Sequence, residues 1–260
     1  CSLLLLPLVV ISKISPDSLY GTIGYVPSVS IETHGYIFVK SVIVLTSWIF
    51  GYFAIKHLPL TITGPINATR PVMTLVGALL IFGERLNLYQ WIGVIITIIS
   101  FFLLSLSGKK EGISFHKNKW ILFMILAAIA GAASGLYDKF LMQKFSSTAV
   151  QFWFNSYQCL LMLIVMVVLW YPKRKNNTPF RWKWSIILVS VFLTIADFVY
   201  FYALTDPDAM ISIVSMVRRS SVLVSFAGGV LLFHEKNLKG KAIDLVLIII
   251  AMFFLYLGTK

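Results

Sequence analysis

Apolar residues in this chain come in long runs, separated by shorter stretches that hold most of the Lys and Arg. Eight runs read as complete spans: Tyr36–Ile55, Leu60–Phe82, Trp91–Leu106, Trp120–Leu141, Val150–Tyr171, Trp184–Leu204, Ala209–Phe233 and Ala242–Leu257. Their lengths suit a hydrocarbon layer of about 30 Å crossed at about 1.5 Å per residue. The opening Cys1–Ser12 is too short to span and lacks the basic region of a signal peptide. It predicts the tail of a helix whose start lies upstream. Lys13–Glu32 is the one long polar stretch, broken by Pro16, Asp17, Gly21, Gly24 and Pro27, and predicts an exposed loop with an interfacial turn at Leu19–Tyr25.

Composition agrees with the pattern. Of 260 residues, 58% are hydrophobic and 12% charged, against about 25% charged in soluble domains, which argues against a water-soluble fold. The formal net charge of +12 would suggest nucleic acid in a soluble protein. Here the basic residues sit in short loops, as the positive-inside rule describes, with no base-reading module and no nucleic-acid partner. Cys1 and Cys159 suggest no disulfide, and His34, His57, His116 and His234 have no ligand spacing, so no metal or cofactor is predicted. Gly131-Ala132-Ala133-Ser134-Gly135 reads as small-residue helix packing rather than a phosphate loop.

Two of the runs end alike. Leu60–Glu84 and Ala209–Glu235 both carry arginine inside them and close on Phe-x-Glu and a basic residue: Phe82, Glu84 and Arg85; Phe233, Glu235 and Lys236. Tyr52-Phe53-Ala54 and Pro59 match Tyr200-Phe201-Tyr202 and Pro207 at a shift of 148 positions, and Phe82 and Glu84 match Phe233 and Glu235 at a shift of 151. The chain therefore divides into a first repeat over 1–106, a basic linker over 107–119 and a second repeat over 120–260. Completing the first repeat by analogy gives five spans per half and ten in the intact protein. An odd number per repeat inserts the halves in opposite orientations, the inverted-repeat plan of many transporters. The fold class is thus all-α and polytopic, with the first helix and half of the second absent from this chain.

From Tyr36 to Lys260 the chain resembles the EamA-domain branch of the drug/metabolite transporter superfamily. The resemblance is carried by the Tyr-Phe starts at Tyr52–Ile55 and Tyr200–Leu204, by the run Pro71–Glu84 ending in Gly83-Glu84-Arg85-Leu86, and by the following Tyr89-Gln90-Trp91-Ile92-Gly93. Two positions depart from it, with His234 and Asp244 standing where glycines are expected. The resemblance implies a central cavity walled by the first, third, fourth, sixth, eighth and ninth helices, on which Arg70, Asp138, Asp197, Arg218 and Arg219 fall. It also makes the absent first helix matter, because small members of the superfamily place their essential acidic residue there. Glu84 and Glu235 become motif residues by resemblance, with Pro71 grouped beside them as structural. Physically, both glutamates look like cap and turn elements in solvent.

Arg70, Arg218 and Arg219 lie nine or ten residues into their runs, where a cation costs roughly 2.5–3.5 kcal/mol on insertion scales and so faces protein or a wet cavity. They read either as partners of Asp197 or Asp138 or as a cationic wall for an anionic substrate, since guanidinium offers carboxylate and phosphate a planar fork of donors. Asp138 and Asp197 must pair or protonate. Pairing with an Arg or Lys139 is the favoured expectation, and proton coupling the other. Asn67, Asn155, Gln158 and Ser215 read equally as interhelical glue or substrate contacts. Among the aromatics, Tyr52, Tyr137 and Tyr200 are the cavity candidates. Arg70, Arg219 and Asp197 are expected to line one polar cavity.

The functional reading is a non-enzymatic secondary transporter in a bacterial inner membrane. It would move a small anionic or zwitterionic metabolite by alternating access, with proton or ion coupling open and oligomeric state unread. A non-transporting accessory subunit of a lipid-carrier flippase and a membrane-embedded enzyme acting on lipid-linked substrates are the alternatives.

Orientation follows from charge. The loops after helices three, five, seven and nine of the intact numbering hold thirteen basic residues: Lys56, Lys109, Lys110, Lys117, Lys119, Lys173, Arg174, Lys175, Arg181, Lys183, Lys236, Lys239 and Lys241. The opposite side holds Lys13, Lys40, Arg85, Lys139, Lys144 and Lys260. Positive-inside reasoning puts the thirteen in the cytoplasm and Lys260 outside; the superfamily's usual arrangement has both termini inside. Cysteine labelling from outside, at positions 177 and 260 in turn, is expected to reach 260 and not 177. Labelling at 177 but not at 260 would show the charge argument wrong.

Overall fold

The computed structural model describes residues 2–14, 25–58, 63, 66–67, 69–106, 119–172, 182–219 and 238–258. Among the described residues helix is the regular structure: α1 Ser2–Ile14, α2 Ile31–His57, α3 Arg70–Ile81, α4 Leu88–Leu106, α5 Lys119–Lys144, α6 Ser147–Val165, α7 Ser185–Ala203, α8 Ile211–Arg219 and α9 Leu238–Leu257. A π-helical turn, Met166–Trp170, extends α6. Among the described residues, α2, α5, the segment Ser147–Val168 and α7 are long and apolar enough to cross a membrane. Their outer faces are bare hydrocarbon: Leu160, Leu163, Ile164 and Val168 on α6; Leu188, Val189, Phe192 and Val199 on α7. In water such faces would be a liability; in a bilayer they meet lipid tails. The polytopic all-α class expected from sequence is what the structure shows.

The chain forms two compact units that are not the two sequence halves. One comprises residues 1–45 and 137–207, the other 46–136 and 208–260. In the first, α6 packs against α1 and α7. Polar side chains tie its segments together: Thr148 Oγ1 donates to Tyr25 O at 2.6 Å, the Val26 N–H donates to Ser12 Oγ at 3.1 Å, and Gln151 Nε2 donates to Thr194 O at 2.8 Å. In the second unit, Ala54, Leu58, Ile121 and Met124 form one apolar cluster. Leu75, Val94, Met216 and Leu255 form another, between α3, α4, α8 and α9.

The run Leu60–Phe82 departs from the expected continuous span. The Thr69 N–H turns back to Ile66 O at 3.2 Å and its hydroxyl to the same oxygen at 2.6 Å, and α3 begins at Arg70 with Pro71 in its first turn. Proline supplies no N–H and crowds the preceding residue out of a helix interior, so the break falls where the sequence removes a donor. Arg70 is therefore the first residue of a helix, not the middle of one. At the other end Gly83 takes φ +62°, and the Glu84 N–H reaches Ala78 O at 3.4 Å, the left-handed stop that glycine adopts without a Cβ penalty.

The start of α4 explains the Gln90 and Gly93 of its motif. Asn87 and Gln90 cap each other reciprocally, each backbone N–H donating to the other's side-chain oxygen at 2.9 Å. Their amide nitrogens also donate to Gly258 O, at 2.7 and 3.1 Å, which anchors the end of α9. Gly93 then lets α9 approach: a Cβ there would sit 2.8 Å from Leu255 Cγ and 2.9 Å from the backbone oxygen of Ala251. Without a hydrophobic drive between helices in lipid, such close small-residue contact is what holds a pair together. Gly93→Val is expected to lower stability by about 1–3 kcal/mol through overpacking, while Gly35→Ala, with nothing within 4 Å, is neutral or stabilising. Thermal unfolding of the two variants in detergent checks the contrast.

Candidate functional site

In the first unit Lys40 and Asp138 form a buried ion pair. Lys40 lies on α2 and is 1% exposed; its Nζ sits 2.5 Å from Asp138 Oδ1 on α5. The same ammonium lies over two rings, 4.0 Å from the centroid of Phe201 and 4.4 Å from that of Phe154. A carboxylate and two aromatic faces thus surround one buried cation. The expected partners of Asp138, an arginine or Lys139, are corrected to Lys40, which the sequence reading had counted as an interfacial charge. Lys139 is itself buried, its Nζ reaching Pro207 O at 3.4 Å. Burial removes both lysines from the loop count and leaves Lys13, Arg85, Lys144 and Lys260 on that side, which sharpens the charge asymmetry.

One turn from Phe154 on the same face of α6, Gln158 is 6% exposed, and both its Nε2 and Oε1 lack a hydrogen-bond partner. Asp197 is half-buried one turn before Phe201 on α7. Tyr200 is buried, and Tyr137 donates its hydroxyl to Tyr36 O at 3.2 Å while stacking on Phe140.

The second unit holds Arg70. Its Nη2 donates to Ser47 Oγ at 2.6 Å and to Ala127 O at 3.1 Å, and the Ser47 hydroxyl donates to that same carbonyl at 2.8 Å. Its Nε is buried without a partner. Among the described residues no carboxylate pairs with it, so the expected ion pair with Asp197 or Asp138 is not formed. The guanidinium lies against Gly131, where a Cβ would come within 2.1 Å of Nη2, Cζ and Nε. The small-residue stretch at 131–135 thus makes room for a cation as well as for a helix.

Glu84 also differs from the solvent cap expected of it. Half-buried, it accepts from the backbone N–H groups of Ile211 at 2.6 Å and Ser212 at 3.3 Å, and from the Ser212 hydroxyl. The positive end of α8 receives a carboxylate from the end of α3. That contact fixes the helix carrying Ser215, whose hydroxyl donates to Ser212 O at 2.9 Å, and Arg218, which is exposed. Asn67 is half-buried and Tyr52 is 63% exposed. The side chain of Arg219, and Glu235 with its neighbour His234, lie outside the described residues. Lys40, Ser47, Gly131 and Ser212 were missed as site residues. Lys40 alone carried a signal, a lysine inside an apolar helix.

Long lipid-facing helices, a broken helix opening on arginine and charges held inside the apolar segments define a multi-pass membrane protein of the transporter class. The EamA-like transporter family matches residues 1–106 and 118–257, and the chain belongs to that family, within the drug/metabolite transporter superfamily. It is an integral membrane transporter by family. No curated protein matches it. A protein solved by crystallography is similar to it at 14% identity, over 99% of this chain and 97% of its own, with a TM-score of 0.60; that likeness supports the fold alone.

Because the guanidinium occupies the space a Cβ would fill, Gly131→Ala is expected to push Arg70 off Ser47 and Ala127. The double variant Gly131→Ala/Arg70→Ala should then be at least as stable as Gly131→Ala alone, a non-additivity of neighbours. Melting curves of the two singles and the double read it; simple additivity would show that the glycine and arginine act separately.

Proposed function

We propose that the protein is a secondary transporter that moves a small polar metabolite, anionic or zwitterionic, across a bacterial inner membrane by alternating access between two inverted halves. The observation that carries this reading is Arg70. A cation in an apolar segment that, among the described residues, hydrogen-bonds neutral oxygens alone and keeps its buried Nε–H without a partner has its counter-charge still to come. Arg218 is close enough to add its own positive field. Two guanidinium groups near one another favour a carboxylate or phosphate, which each can meet with parallel N–H donors. The cargo supplies the charge that the protein leaves out. Coupling to a proton or another ion falls to the carboxylates Asp138, which is buried, and Asp197, which is half-buried.

A thermal-shift screen of the full-length protein against anionic and zwitterionic metabolites selects a cargo, and counterflow in proteoliposomes measures its movement. Arg70→Lys keeps the charge but loses the fork, so flux is expected to fall at least tenfold, about 1.4 kcal/mol, with unchanged expression. Wild-type flux in Arg70→Lys would remove the arginine from cargo binding. Binding without flux would point to an accessory role instead.

A further inference from the structure

In the described part of the first unit the pair Lys40–Asp138 is complete, yet one buried polar side chain is not satisfied. Lys40 has its carboxylate and two ring faces. Gln158, on the same helix as Phe154 and about 40° round from it after four residues, has neither donor nor acceptor satisfied although it is 94% buried by its 6% exposure. A buried carboxamide without partners is costly to keep, and its two ends fit a ligand that offers both an acceptor and a donor.

We propose that Lys40, Asp138, Phe154, Phe201 and Gln158 form a binding site for a primary ammonium group of the cargo. This rests on the transport reading above and narrows it: the cargo is zwitterionic rather than simply anionic. The cargo ammonium takes the place now held by Lys40, against Asp138 and between the two rings. Lys40, a point charge on a flexible four-carbon stem, withdraws to meet the cargo's anionic group. Gln158 bonds the polar body of the cargo.

Charge conservation selects the cargo class. Before exchange there is one pair, Lys40 with Asp138. After exchange by a zwitterion there are two, cargo ammonium with Asp138 and Lys40 with cargo anion, so neither Lys40 nor Asp138 is left bare; the same anion meets Arg70 at another stage of the transport cycle. A plain anion that took Lys40 would strand Asp138 without a counter-charge, a loss that a buried carboxylate does not tolerate unless it takes up a proton. The aromatic faces add to the preference, since they attract a cation and offer nothing to an anion. Lys40 thus acts as the resident occupant of a site made for an ammonium.

The test uses the purified full chain and three matched pairs: 2-aminoethyl phosphate with ethyl phosphate, taurine with ethanesulfonate, and β-alanine with propionate. Thermal shift should show stabilisation by the amine-bearing member of at least one pair, with half-saturation at least tenfold lower than for its partner. Gln158→Leu supplies a readout that needs no ligand. Removing an orphaned buried amide should raise the melting temperature of the free protein by about 2–4 °C, while weakening amine binding at least tenfold. A lower melting temperature in Gln158→Leu, or no stabilisation by any amine-bearing compound, overturns the site. Equal binding within each pair, abolished by Arg70→Ala and untouched by Gln158→Leu, overturns the ammonium site but leaves the transport reading standing. Amine-selective binding without flux in proteoliposomes does the reverse.

Discussion

The cost of a charge in hydrocarbon is the constraint from which the rest of this structure follows. A single ionised group at bilayer depth is worth several kcal/mol against insertion, and this chain places several there. Lys40 and Asp138 neutralise each other. Lys139 reaches a backbone carbonyl, and Glu84 meets the electropositive start of α8. Arg70 is held by two neutral oxygens, with no carboxylate beside it among the described residues. A buried cation with no counter-charge among the described residues is the feature on which the proposed cargo site rests.

The backbone is arranged around that cation. Pro71 breaks the run at Thr69, so α3 begins at Arg70 rather than passing through it. Gly131 leaves the space into which the guanidinium folds. Glu84, at the far end of α3, holds the start of α8, the helix that carries Arg218. Discontinuous helices with charged side chains at their ends are tolerated in membranes only where protein or water, not lipid, surrounds them. Packing elsewhere is kept close by small residues, as where Gly93 admits α9, because apolar burial gives no advantage over lipid.

Much of this was legible in the chain. Run length and loop charge predict the helices, since a bilayer fixes both, and the repeated Phe-x-Glu endings pointed to the family. The interior arginine was legible as an anomaly in an apolar run. What the sequence withheld was partnership. Asp138 and Lys40 are 98 positions apart, and Glu84 and Ser212 128, so no local spacing connects them. Lys40 was misread because it stands near the start of its apolar run, where a lysine ordinarily snorkels to the interface; here the helix begins earlier, at Ile31, and draws it inside. The break at Thr69 was marked by Pro71, but the apolar content of Leu60–Phe82 made the run look continuous. Gly131 looked like packing because a glycine does not announce which side chain fills its space.

The most direct test compares two single substitutions by thermal unfolding of the purified protein in the same detergent. Lys40→Met leaves Asp138 as a bare buried carboxylate and should lower stability strongly, on the order of 3–5 kcal/mol. Arg70→Met removes a cation that has no counter-charge among the described residues and should leave stability unchanged or raised, although cargo binding is lost. If Arg70→Met destabilises the protein as much as Lys40→Met does, Arg70 is a structural charge with a partner of its own, and it is not held in reserve for a cargo.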